Sequence, residues 1–263
     1  MKTSRYLFEY DGKKYFYSDV IHALRKIGVT GDDKLFVHSD LKSFGKINPE
    51  ISRNEYIDAF IIALMEVVGL KGTIIVPTFS YSFCNKEIYD VEQTRSTVGI
   101  LTERFRKLDG VVRTNDPIFS TAIWGHQQGY YSKVGRNCFG QDSIFHKIYL
   151  DNFKILFVGN TFDITYMHFV EQAFPVPYRC LKTFSGQVKI RSGLQNHSVD
   201  YNVRPLDSDV EYDLEKIANF LNCKRVLKQA GLGYSTLRMV MAVDAFNVIT
   251  EGFKENIKVL LRG

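Results

Sequence analysis

The sequence is poor in the residues that build metal centres and redox motifs. Its four cysteines, Cys84, Cys138, Cys180 and Cys223, stand far apart with no CxxC pair among them, so neither a cysteine zinc site nor a thioredoxin-type motif is present and four reduced thiols are expected. No metal is expected either, because no His, Cys, Asp and Glu set has ligand spacing. No apolar run approaches about 18 residues, and the N-terminal MKTSRYLFEYDGKKYFY lacks the apolar core of a signal peptide. Those two absences predict a cytoplasmic protein with no membrane partner. Familiar nucleotide and hydrolase signatures are missing as well: there is no GxxxxGK[ST] and no GxSxG. GLGYS, at 231–235, lacks the third glycine of a dinucleotide fingerprint and precedes a strand, so it reads as a turn. With no repeat, low-complexity tract or linker, residues 1–263 are expected to form a single domain.

What is present suits a globular enzyme. A chain of 263 residues, 45% hydrophobic and 24% charged, can bury a sizeable core. Its 34 basic residues exceed 29 acidic ones for a net charge of +5, yet they are dispersed and form no block of the kind that grips nucleic acid. Dispersed positive charge fits an anionic small ligand such as a phosphorylated cofactor.

Hydrophobic spacing predicts alternating helices and strands. SDVIHALRKIG reads as a helix capped by Ser18 and ended by Gly28, KLFVH as a buried strand, and SRNEYIDAFIIALMEVVG as a helix opened by the capping box Ser52/Glu55 and closed by Gly69. TIIVPT is a strand. A helix opened by Ser96 or Thr97 carries Val98, Leu101, Phe105 and Leu108 on one face, and IFSTAIWG is the next strand. SIFHKIYL (helix), KILFVG (strand) and a helix over 165–174 follow. This alternation predicts an α/β fold with a mainly parallel central sheet flanked by helices and the ligand at the carboxyl ends of the strands. Residues 183–205 break the pattern: apolar and polar residues alternate around Gly186 and a turn at 193–196, which predicts an antiparallel hairpin serving as a flap or subdomain. A helix over 213–227, a strand STLRMVMA and a helix from about Val243 complete the chain.

Three stretches offer chemistry. VHSDLKSFG ends the first long strand in a loop where backbone N–H groups, Ser39, Ser43 and the cation Lys42 could hold a pyrophosphate; the alternative is a plain loop whose serines bond their own backbone. RTNDPIFSTAIWG brings Arg113, Asp116 and Ser120 towards a strand, and Pro117 extends the chain before it. NTFDITYMHFVEQAF sets His168 three residues before Glu171, which on a helix puts both on one face about 5–6 Å apart. A carboxylate there can hold one imidazole nitrogen and raise the basicity of the other, as a general base requires. By spacing alone, the alternative is an ordinary core or surface histidine.

In order, VHSDLKSFG, GTIIVPTFSYSF, YDVEQTRSTVGILTERFRKLDGVVRTNDPIFSTAIWG and ILFVGNTFDITYMHFVEQ resemble the aminoglycoside N(3)-acetyltransferase family, from about Ser18 to the last helix. The resemblance implies the antibiotic N-acetyltransferase fold and transfer of an acetyl group from acetyl-CoA to the amine of an amino sugar by direct attack, with a homo-oligomer allowed. It implies His168 as base and Glu171 as its orienting carboxylate. His38, Ser39, Lys42, Ser43 and Gly45 would hold the pantetheine and pyrophosphate, with Ser120 near the reactive carbonyl and Asp116, Asp163 and Tyr81 towards the acceptor. In one departure, RTNDP stands where drug-modifying members carry RSxHP, so Asp116 replaces a histidine. That change points to a nucleotide-linked deoxyamino sugar for surface glycans as acceptor. Aminoglycosides, with antibiotic resistance as the outcome, are the alternative, and a non-catalytic sugar-nucleotide or CoA-binding protein is the reading from another class.

Overall fold

The computed structural model describes residues 5–205 and 210–262; the expected domain limits, Met1 and Gly263, lie outside them. The chain opens with β1 (Phe8–Tyr10), β2 (Lys13–Tyr15), α1 (Tyr17–Lys26), β3 (Lys34–Asp40) and β4 (Lys46–Ile47), of which β2, β1 and β4 pair as a small sheet. α1 starts one residue before the expected cap: Phe16 is the N-cap, and its N–H is taken by the Asp19 carboxylate at 2.7 Å, leaving Ser18 inside the first turn. α2 (Arg53–Val68) has the capping box read from the sequence, with Glu55 N–H bonded to Ser52 Oγ at 3.1 Å and Ser52 N–H to Glu55 Oε2 at 2.7 Å.

Next come β5 (Thr73–Pro77), β6 (Tyr89–Asp90), α3 (Ile100–Phe105), β7 (Val112–Arg113) and β8 (Thr121–Gly125). α3 begins later than Ser96 or Thr97 would have it, because Gly99, at φ +148°, is its N-cap. α4 (Gln128–Tyr131), α5 (Ile144–Leu150), β9 (Lys154–Gly159) and α6 (Met167–Ala173) lead into a long hairpin of β10 (Cys180–Ile190) and β11 (Gly193–Val203). Its turn is at Arg191 and Ser192 and not at 193–196, since Ile190 pairs with Gly193. Gly186 lies mid-strand, where a Cβ would come within 2.8 Å of the Phe83 ring. α7 (Leu214–Cys223), β12 (Lys228–Leu232), β13 (Ser235–Met241) and α8 (Ala242–Glu255) end the chain.

The central sheet runs β12-β13-β9-β3-β5-β8-β7, and it is not mainly parallel as the alternation of elements suggested. Only β9 with β3 and β3 with β5 are parallel; the other four neighbours are antiparallel. The reason is local. A right-handed parallel crossover carries the chain back through a helix, whereas β5 and β8 are joined through β6, the six-residue α3 and β7, which turns directly into β8 as its antiparallel neighbour. At the other edge β12, missed in the sequence, forms a hairpin with β13 through Gly233 and Tyr234.

Alternation along the strands divides the core. Phe36, Ile75, Ile123, Ile155, Phe157 and Val240 face one layer, with residues of α5 to α8 packed on it. Leu35, Val37, Ile74, Val76, Leu156 and Val158 face the other, against α1, α2 and α3. Among the described residues no helix is long and apolar enough to cross a membrane.

Candidate active site

The three strands joined in parallel register, β9, β3 and β5, end side by side, and a cavity of about 150 Å³ opens there. His38 and Ser39 from the end of β3, Pro77 from β5, and Thr161, Asp163, Ile164 and Thr165 from the segment after β9 line it, with Phe79, Tyr81, Val98, Phe119, His168, Tyr201 and Tyr212. The cavity thus opens where the sequence reading expected a ligand, at the carboxyl ends of strands that form the parallel heart of a mixed sheet.

His168 stands on the first turn of α6 and Glu171 one turn further, fully buried. His168 Nδ1 lies 3.4 Å from Glu171 Oε2 and 3.0 Å from the Tyr212 hydroxyl. Glu171 Oε2 also accepts Arg179 Nε–H at 2.5 Å and the Tyr212 hydroxyl, while Arg179 Nη2 reaches the Tyr212 oxygen at 3.1 Å. Burial would raise the Glu171 carboxyl, but His168, Arg179 and Tyr212 outweigh it and hold the pKa below the usual carboxylate value. For His168 the balance is reversed: burial draws the imidazole below its ordinary 6.5 despite the pull of Glu171. The pair is therefore an anion beside a neutral imidazole near neutral pH.

His38 is 6% exposed, stacked on Phe157 and edge-on to Phe36, and burial lowers its pKa to about 3. Its Nε2 and the Ser39 Oγ are buried without a hydrogen-bond partner among the described residues. Two unpaired polar atoms at a cavity are costly unless a ligand meets them. Tyr81, at φ +54°, packs edge-on to Phe119 and Phe79, and burial first, then its neighbours Tyr201 and Asp163, push its hydroxyl up to about 12.

The remaining candidates lie off the cavity lining. Ser43 Oγ donates to Asp40 C=O at 2.8 Å, accepts Asn160 N–H at 2.8 Å and is hydrogen-bonded with Ser235 Oγ at 3.1 Å, so it clasps the ends of β3, β9 and β13. Gly45, at φ +151°, lets the chain pass β1 where a Cβ would meet the Glu9 carbonyl at 2.4 Å. Lys42 is exposed, its N–H 3.2 Å from Asp40 Oδ1. Ser120 is fully buried, donating to Thr78 C=O at 2.7 Å and accepting from Arg113 Nη2 at 3.1 Å. Asp116 is buried, and its Oδ1 accepts the N–H groups of Ile118 and Phe119 at 2.8 and 2.9 Å. Its carboxylate braces the turn into β8. Among the described residues no group of three or more His, Cys, Asp or Glu is gathered as a metal would require.

A sequence model of the aminoglycoside 3-N-acetyltransferase family matches residues 36–254. The chain belongs to that family. It is 26% identical to the SPbeta prophage-derived aminoglycoside N(3')-acetyltransferase-like protein YokD of Bacillus subtilis, in a match covering 59% of this chain and 64% of that protein. Solved aminoglycoside acetyltransferases share the fold: AAC-IIIb in binary complex with CoASH superposes with a TM-score of 0.79 at 18% identity over 91% of this chain and 96% of that one. The sisomicin-bound AAC-VIa superposes at 0.77 with 20% identity over 91% and 97%.

Within this member of the aminoglycoside 3-N-acetyltransferase family, sequence reasoning missed Arg179, Tyr201 and Tyr212. They follow His168 by 11, 33 and 44 positions, in a segment before β10, on β11 and before α7. No local spacing links them to the histidine. The hairpin's turn brings Tyr201 back to α6, beside Arg179, which follows that helix by six residues.

Proposed function

We propose that the protein is an acetyl-CoA-dependent N-acetyltransferase whose acceptor is the amine of an aminoglycoside-type amino sugar. The observation that carries this reading is the neutral, cavity-lining His168 held at Nδ1 by the buried cluster of Glu171, Tyr212 and Arg179. That arrangement leaves Nε2 as the basic nitrogen, able to take the proton an attacking amine must lose. Glu171, Tyr212 and Arg179 hold the ring, and the Glu171 charge offsets the imidazolium as it forms. Acetyl-CoA supplies the activated acetyl group, and His38 and Ser39 are the groups that would meet its arm. Asp163, exposed at the cavity, suits a cationic amine.

The nucleotide-linked sugar loses its main support. Asp116, the substitution that suggested it, braces a turn away from the cavity, and the relatives are described by aminoglycosides. The hairpin, with Tyr201 on the cavity wall, serves as a flap of the one acetyltransferase unit.

Thiol release from acetyl-CoA, followed with aminoglycosides and with nucleotide-linked amino sugars in parallel, tests the acceptor. Turnover confined to nucleotide sugars would sink the aminoglycoside reading. His168→Ala should lower kcat by about 10²- to 10⁴-fold with circular dichroism unchanged; full activity in that variant would remove the base.

A further inference from the structure

The hydrogen bonds around His168 do not run as a simple histidine–carboxylate pair. Tyr212 Oη is closer to Nδ1, at 3.0 Å, than Glu171 Oε2 is, at 3.4 Å. The hydroxyl has one proton to give and three neighbours: Nδ1, Glu171 Oε2, and Arg179 Nη2 at 3.1 Å. Arg179 can only donate, and its Nε already anchors Oε2 at 2.5 Å, so the carboxylate is the ionised, strongest acceptor in the group. The tyrosine proton therefore goes to Glu171. The tyrosine oxygen is left to accept Nη2–H from Arg179 and Nδ1–H from His168.

We infer that Tyr212 is a positioning residue that fixes His168 as the Nδ1–H tautomer, relaying the Glu171 charge through its hydroxyl while Arg179 holds both oxygens in place. The inference rests on His168 being the base. No proton travels along the relay: the amine proton ends on Nε2, the Nδ1–H stays, and the new positive charge faces a hydroxyl already polarised by the carboxylate. Neutral imidazole with its proton on Nε2 would have no lone pair towards the cavity, so the tautomer decides whether the histidine can act. Tyr212 also makes a ring contact with Arg179, whose guanidinium lies 5.4 Å from the ring centroid. A phenylalanine keeps that contact and removes only the relay.

Long-range ¹⁵N–¹H spectra of histidine-labelled protein at pH 8 read the tautomer directly, the His168 pattern being the one absent from His168→Ala. The wild-type protein should show Nδ1–H alone. Tyr212→Phe should show a mixture of tautomers, with kcat reduced about 10- to 100-fold and KM for acetyl-CoA unchanged within about twofold. An Nε2–H tautomer in the wild type overturns the inference whether or not the variant folds, as does a Tyr212→Phe enzyme with the wild-type pattern or rate. Activity surviving in His168→Ala is a separate failure, of the base assignment itself.

Discussion

Two histidines share one cavity and are tuned by different surroundings. As the proposed base, His168 would act only when unprotonated, and its pKa lies below 6.5 because burial outweighs Glu171. The acid limb that His168 contributes to the rate should therefore have its midpoint below 6.5, with kcat/KM profiles as the measurement; a His168-dependent midpoint above 6.5 would contradict the balance of burial and charge. His38 affects stability instead. Unfolded, it binds a proton below 6.5, but folded it does so only near 3, so native protein loses up to about 1.4 kcal/mol per pH unit as pH falls through that window. Urea unfolding of His38→Leu at successive pH values should show this slope removed. Of the expected residues, the structure brings His38, Ser39, Tyr81, Asp163 and His168 to one cavity with Glu171 behind the histidine; it was the ordered family resemblance that grouped them, since local spacing linked only His168 with Glu171. Ser120, Asp116 and Ser43 lie off that cavity because a polar side chain near a strand end can equally turn inward to brace the backbone, and sequence does not record which way it turns.

Elements were legible where their signals were local. The Ser52/Glu55 box opens α2 as read, and Ser52→Ala should cost about 1 kcal/mol in urea unfolding without altering KM. The edges of α1 and α3 moved because Phe16, an unlikely cap by composition, was set by Asp19, and Gly99 by a loop conformation that glycine permits. β12, KQAGL, lacks β-branched residues altogether. It is a strand because β13 pairs with it, which no window of sequence could report.

On the scale of the whole molecule, the direction of strands was the main thing unread, since it depends on connections rather than on residues. The parallel trio nonetheless gathers the cavity, and the clasp at Ser43 joins two of its strand ends to β13. Ser43→Ala should lower stability by roughly 1–3 kcal/mol while leaving acetyl-CoA affinity by calorimetry near wild type. A large loss of affinity in a protein of unchanged stability would instead return Ser43 to the ligand.

The long hairpin unites these scales. Its root touches the carboxylate through Arg179, Tyr201 near that root walls the cavity, and its tip, Arg191 and Ser192, stands eleven paired residues away. Substitution, insertion or tagging should therefore be tolerated at the exposed tip, 191 and 192, and not at 179 and 201, with Val188 between them held by its burial beside β6, so that a lineage can vary the tip while the end beside His168 stands still.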